Sequence, residues 1–284
     1  MGITVAIIAQ GTMGAGVGRR LAERGAAVRT LLAGRSEASA ARARDAGMAA
    51  AADERALLDD ADFFLSILPP SEAEAVAARL APALQSLPRK PVYVDCNAIS
   101  PQTALRVAAV VEPTGAAFVD GGIIGGPPRA GYSPAIYASG PAAGRSAVLK
   151  DYGLDWRIVA GPLGAASGLK MSYAGITKGT TAIAAAMLLG AARFGCAEAL
   201  LAELGASQPE LLKRMRTGIP GMYDKAYRWV GEMEEIADFL DANPPSSAMY
   251  RDIAKLYDFL AAAEAETGPG ADNAIATLDR VLGR

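Results

Sequence analysis

The chain has 284 residues, 51% of them hydrophobic and 20% charged, with a formal net charge of −2. It is too long for one small module, too apolar for a disordered tail and too nearly neutral for an electrostatic nucleic-acid binder. It has no histidine, which removes Ser-His and Cys-His nucleophile pairs and any zinc site needing an imidazole, so no metal is expected and acid–base chemistry falls to Lys, Tyr, Asp or Glu.

From the N-terminus, short β-branched or apolar runs alternate with Ala-rich, charge-bearing segments at helical period, the pattern of a parallel α/β sheet. Strands are predicted at Ile3–Ala9, Val28–Leu32, Phe63–Leu68, Val92–Asp95, Ala117–Val119 and Ala135–Ala138. Helices are predicted between them at Met13–Arg24, Glu37–Ala46, Ser71–Ser86 and Pro101–Val111, several opened by Ser or Pro. No basic segment and cleavage site lead into the first strand, so no export signal is expected. Past Val159 only helical patterning remains, at Gly164–Gly195, Ala197–Leu204, Pro209–Thr217, Met222–Leu240 and Ala248–Ala265.

The fold class is therefore α/β. A Rossmann-type doubly wound, mostly parallel sheet is expected over residues 1–160 and an all-α domain over 161–284, hinged at Gly161-Pro162-Leu163-Gly164. The uncharged stretch Gly179 to Ala192 is shorter than the roughly 20 residues of a membrane helix and is expected to be a buried helix. Cys96 and Cys196 form no disulfide framework and carry no metal or redox spacing, so a cytoplasmic protein is expected and neither thiol is given a role.

The first strand runs into Ala9-Gln10-Gly11-Thr12-Met13-Gly14 and then a helix, a dinucleotide fingerprint with Ala in place of its first glycine. Gly11 lets backbone approach a pyrophosphate, Gly14 lets helix pack on strand, and the N–H groups of Gln10, Gly11, Thr12 and Met13 face the anion. An NAD site places an Asp or Glu at the end of the second strand, but here the chain reads Leu32-Ala33-Gly34-Arg35-Ser36. Arg35 with Ser36 is expected to hold the 2′-phosphate of NADP, so NADPH is preferred over NADH.

Two further loops follow strand ends, where open α/β sheets bind ligands. Leu68 and Pro69, ahead of Pro70, form a rigid wall beside the nicotinamide ribose, or simply stop a strand. Asn97 offers amide donors and acceptors near the ring, or satisfies its own turn. The run Gly121-Gly122-Ile123-Ile124-Gly125-Gly126 is read as a side-chain-poor loop open to a substrate, with a rigid bend as the other reading. Lys170, early in the long helix after the hinge, is the main catalytic candidate, with Tyr173 and Thr177 at helical spacing on the same face. A lysine withdrawn from water can exchange a proton with a carbinol oxygen as hydride moves. Lys178 reads as a snorkelling lysine, and Trp229, Met233, Ile236 and Leu240 as an apolar stripe belonging to the core or a dimer interface.

Taken together, the fingerprint, the Asp95-x-Asn97-x-Ile99-Ser100-Pro101 loop, the Gly-rich run and the Gly161-x-x-Gly164…Lys170 helix resemble the β-hydroxyacid dehydrogenase superfamily over most of the chain. Lys170-Met171-Ser172-Tyr173-Ala174 and Arg228-Trp229-Val230-Gly231-Glu232-Met233-Glu234-Glu235 are similar to a 6-phosphogluconate-dehydrogenase-like branch with a distinctive helical C-terminal domain. The resemblance implies NAD(P) on the first domain, a lysine acid/base, a substrate cleft between domains and a homodimer formed through helices. Ile124, Gly125 and Gly126 stand where a Ser-Gly-Gly holds the substrate carboxylate, and Tyr173 and Ala174 replace the usual Asn after the lysine, leaving Tyr173 as a second proton donor. The implied activity is NADP-dependent hydride transfer on a small or medium hydroxy or keto compound. Imine reduction and a non-catalytic NADP sensor are the alternatives, and a membrane or nucleic-acid partner is not expected.

Overall fold

The computed structural model describes residues 2–8, 11–266 and 272–284. Ala9 and Gln10 lie outside the described residues. The chain divides into two compact units, Met1–Met171 and Ser172–Arg284.

The first unit holds an eight-stranded sheet in the order β3-β2-β1-β4-β5-β6-β7-β8. The strands are β1 (Thr4–Ile8), β2 (Ala27–Leu31), β3 (Ala49–Ala51), β4 (Phe63–Ser66), β5 (Val92–Asp95), β6 (Phe118–Ile124), β7 (Ala135–Ser139) and β8 (Asp155–Ile158). All neighbours are parallel except the β6–β7 pair, where Gly121 faces Ala138 and Gly122 faces Tyr137. The order reverses between β1 and β4, which creates the crevice where ligands of such sheets bind.

Side-chain alternation splits the core into two layers. Val5 and Ile7 of β1, Phe63 and Leu65 of β4 and Val92 and Val94 of β5 pack with Val17 and Leu21 of α1 (Thr12–Glu23) and with Ala43 of α2 (Glu37–Asp45). Ala6, Ile8, Phe64 and Tyr93 point the other way, against Leu57 and Leu58 of α3 (Glu54–Leu58), Leu80 and Leu84 of α4 (Ala73–Ser86) and Val107 of α5 (Pro101–Val111). Local chemistry starts these helices. Ser36 Oγ accepts from Ser39 N at 3.3 Å, and Ser100 Oγ accepts from Thr103 N at 3.2 Å with Pro101 at the first helical position.

The helix α6 (Ala165–Arg193) begins in the first unit and continues into the second. The second unit adds α7 (Ala197–Ser207), α8 (Pro209–Gly218), α9 (Ala226–Phe239), α10 (Pro244–Ala265) and α11 (Ala274–Leu282). Within it, Trp229 of α9 meets Tyr257 of α10 edge to face at 5.2 Å. The Tyr257 hydroxyl donates to the Lys178 carbonyl at 2.6 Å.

Three expectations need correction. The Gly-rich run is not a loop from Gly121 onward: Gly121 and Gly122 are buried in β6, and only from Gly125 does the chain leave the sheet. The glycines are there because the strand is crowded. A Cβ on Gly121 would lie 2.6 Å from Asp95 O, and one on Gly122 would lie 2.9 Å from Ala166 O. The Met222–Leu240 helix is broken, with a 3-10 turn over Pro220–Lys225 before α9. The stretch Gly179 to Ala192 is only half buried: Ala182, Ala185 and Leu188 are enclosed, while Ile183 and Met187 are 54% and 59% exposed. Among the described residues α6 is the one helix long and apolar enough to cross a membrane, and its buried face packs on Ile236 and Tyr250 of the same unit.

Candidate active site

The carboxyl ends of β1 and β4 flank the crevice, and the predicted cofactor residues that the structure describes gather around the ends of β1, β2, β4 and β5. Gly11 is the N-cap of α1, with open space where a Cβ would be, no side-chain cap on the helix and no acid in its first turn. Bare N–H groups at an uncapped helix start fit a pyrophosphate. Thr12 is exposed at that start and Met13 is half-buried against the core, while Gln10 falls outside the described residues. Thr12 also opens a groove along the outer face of α1, lined further by Gly16, Arg19, Arg42, Pro128 and Arg129.

Beyond β2, Gly34 turns the chain with φ +72° and leaves Arg35 exposed, with no ion pair among the described residues. Ser36 caps α2, and the next acid along the chain, Glu37, is held by Arg44 at 2.6 Å. The basic tip is therefore not neutralised by its neighbour.

The β4 and β5 loops are tied together by Asn97. Its Oδ1 accepts from Leu68 N at 2.5 Å, and its Nδ2 donates to Ser66 Oγ at 2.9 Å and Asp95 Oδ2 at 3.0 Å. Both amide protons are thus spent inside the protein, fixing Leu68 and the exposed Pro69 at the crevice edge. Asp95 and Ser66 are fully buried, and burial together with the Asp95 carboxylate pushes the Cys96 thiol well above its ordinary range.

Ile124, the last residue of β6, is half-buried, and Gly125 and Gly126 beyond it are exposed. Gly125 has φ +128°, and a Cβ there would lie 2.3 Å from the Tyr132 hydroxyl, to which Gly126 N donates at 3.2 Å. The root of the Lys170 side chain rests over Gly122, whose added Cβ would come within 3.1 Å of Lys170 Cβ. Lys170 is half-buried, and its ammonium has no hydrogen bond or ion pair among the described residues.

Tyr173 and Thr177 follow on α6 in the second unit, both exposed, and Thr177 Oγ1 donates to Tyr173 O at 2.9 Å. Lys178 is not a free snorkelling lysine: it is paired to Glu232 and lies 4.7 Å from the Trp229 ring centroid.

Sequence reasoning missed Asp120. This fully buried carboxylate accepts at Oδ2 from Ser139 Oγ, Ala166 N and Ser167 N at 2.8, 2.9 and 3.0 Å, and at Oδ1 from Ser167 Oγ at 2.5 Å. The available signal was an acid at the end of an apolar run just before two glycines.

Residues 4–151 match the family model for the NAD-binding domain of 6-phosphogluconate dehydrogenase. The chain belongs to that family. Membership places it among the NAD(P)-dependent dehydrogenases and reductases. Residues 191–260 match a domain of unknown function. A conserved protein of unknown function, described as structurally similar to 3-hydroxyacid dehydrogenases, is 29% identical, with TM-score 0.70 over 92% of this chain and 99% of its own. The 3-hydroxyisobutyrate dehydrogenase of Mycobacterium tuberculosis, solved with L-serine, shares the fold at 18% identity and TM-score 0.75 over 99% of each chain. An imine reductase from Myxococcus stipitatus, solved with NADP+, matches at 18% identity and TM-score 0.54 over 99% of this chain and 100% of its own. A variant of that reductase was solved with NAD+.

Proposed function

We propose an NADP-preferring oxidoreductase that moves hydride between the nicotinamide and a carbon bearing a hydroxyl or keto oxygen in a small or medium substrate. The observation that carries this reading is Lys170, a half-buried lysine without a partner among the described residues, over bare strand backbone, in a chain without histidine. Bound NADPH supplies the hydride. Lys170 gives its proton to the carbonyl oxygen in reduction and takes it back from the hydroxyl in oxidation. Gly11, Thr12 and Met13 hold the pyrophosphate, Arg35 and Ser36 the 2′-phosphate, and Leu68, Pro69 and the Asn97 brace form the wall beside the ring. Ile124, Gly125 and Gly126 face the substrate, where the absent hydroxyl at Ile124 disfavours a simple 3-hydroxy acid.

The protein acts as a homodimer with α6 in the interface. Leu169, Tyr173, Ile176, Ile183 and Met187 are exposed at spacings of three, four and seven, and the stretch Gly179 to Ala192 carries no charge. An uncharged stripe can face its own copy without like-charge repulsion.

The test is nicotinamide absorbance with NADP and NADPH against hydroxy acids, sugar-acid phosphates, ketones and cyclic imines. Turnover on a hydroxy or keto compound is expected. Turnover only on imines moves the reading to C=N reduction, and tight NADPH binding without any turnover moves it to a sensor.

A further inference from the structure

We propose that Asp120 is the positioning residue for Lys170, an inference that rests on the reading of Lys170 as the group that exchanges the proton. A buried carboxylate is costly unless its oxygens are satisfied. Among the described residues Asp120 has no cation as partner; it accepts from the hydroxyls of Ser139 and Ser167 and from the N–H groups of Ala166 and Ser167 in the first turn of α6, the positive end of that helix.

This is not a local cap. The residue before α6 is Gly164, at φ +97°, which has no side chain to offer, and a Cβ there would lie 3.0 Å from Pro101 Cβ. The cap comes instead from a strand 46 and 47 residues earlier in the chain. Ser139, on the neighbouring strand, shares the bond, its Oγ accepting from Ala166 N at 2.9 Å.

Asp120 and Gly122 alternate onto the same face of β6. The strand therefore presents a carboxylate that grips Ala166 and Ser167, then a gap that admits the Ala166 carbonyl and, one turn on, the Cβ of Lys170. One contact sets how far α6 begins from the strand, and the other sets its rotation. Together they fix where the root of the Lys170 side chain stands.

The test compares Asp120→Asn, Asp120→Ala and Lys170→Ala in the full chain. An asparagine can keep the geometry: its oxygen accepts from Ser139, Ala166 and Ser167, and its NH2 donates to Ser167 Oγ. Asp120→Ala is expected to lower kcat by about 10²-fold, the scale of a misplacement of about 1 Å, while substrate KM and NADPH affinity stay within about threefold. Asp120→Asn is expected to restore kcat to within about threefold of the parent. Amide exchange over residues 168–171, which needs no substrate, should quicken about tenfold in Asp120→Ala and stay unchanged in Asp120→Asn.

If Lys170→Ala keeps full turnover, the proton-exchange reading falls whatever Asp120 does. If Lys170→Ala is inert and Asp120→Ala keeps the parent kcat, or its exchange is unchanged, the positioning role alone is overturned. Should Asp120→Ala not fold, Ser167→Ala removes one tie; it is expected to quicken the same exchange, and parent-like exchange there would overturn the proposal.

Discussion

Adding a single methyl at Gly122 tests the packing that seats α6 on β6. Its Cβ would stand 2.9 Å from Ala166 O and 3.1 Å from Lys170 Cβ. Carbon contacts are comfortable from about 3.5 Å, so helix or strand must yield by about half an ångström. Neither moves freely: Gly122 is paired to Tyr137 on β7, and α6 is gripped by Asp120. Overpacking of this kind costs about 1–3 kcal/mol, against roughly 0.5–1 kcal/mol gained by replacing a strand glycine, which leaves a net loss of about 1 kcal/mol at mid-range and up to about 2.5 kcal/mol. Gly126→Ala is the control, because a Cβ there meets nothing within 4 Å. Urea denaturation followed by Trp156, which belongs to the first unit, in a background where Trp229 is replaced by Phe, reads the difference. Gly122→Ala as stable as Gly126→Ala would refute the reasoning.

Arg35→Ala removes the exposed cation at the end of β2 and is expected to weaken NADPH binding about 10- to 100-fold, the scale of one charge-assisted hydrogen bond to phosphate, with NADH changed less than about threefold. Titration of both cofactors checks it, and equal weakening would reject the 2′-phosphate assignment. Stability should fall in alkali. Burial first and the Asp95 carboxylate second raise Tyr93 well above 10.0 and Cys96 well above 9.0. The folded protein then keeps protons that the unfolded chain releases, so the stability present below pH 9 is lost as pH rises past 9 and 10. The urea midpoint against pH reads this, with Tyr93→Phe flattening the decline above pH 10. In the second unit, Glu232→Gln leaves Lys178 without its carboxylate at 14% exposure and should destabilise by about 2 kcal/mol, while Lys178→Met with Glu232→Leu should recover most of that loss in the same denaturation assay.

What could be read from the sequence follows from how strongly each segment declares itself. The runs around Val5, Phe64 and Val94 are β-branched or aromatic and apolar on both faces, which suits a central parallel strand, and the structure places each of them in one. The strand β3 is Ala49-Ala50-Ala51, with no strand-forming residue, and exists because it pairs with β2. The strand β8 ends in half-exposed residues at the sheet edge, and α3 is a single capped turn, so neither has a usable period. The same limit applies at the site. Gly11, Arg35 and Lys170 stand in local patterns that announce them, whereas the grip of Asp120 on Ser167 joins residues 47 apart, and no spacing rule reports such a contact. Gly121 and Gly122 looked like a loop because glycine signals freedom locally, while here it answers crowding from Asp95 and Ala166.

The most direct test of the central claim is the rate of hydride transfer by Lys170→Ala, followed by nicotinamide absorbance on whichever substrate the parent protein turns over, with NADPH affinity measured in parallel. Loss of kcat by about 10²-fold or more with NADPH affinity within about twofold is predicted for a lysine that exchanges the substrate proton. Parent-like turnover by Lys170→Ala would contradict it.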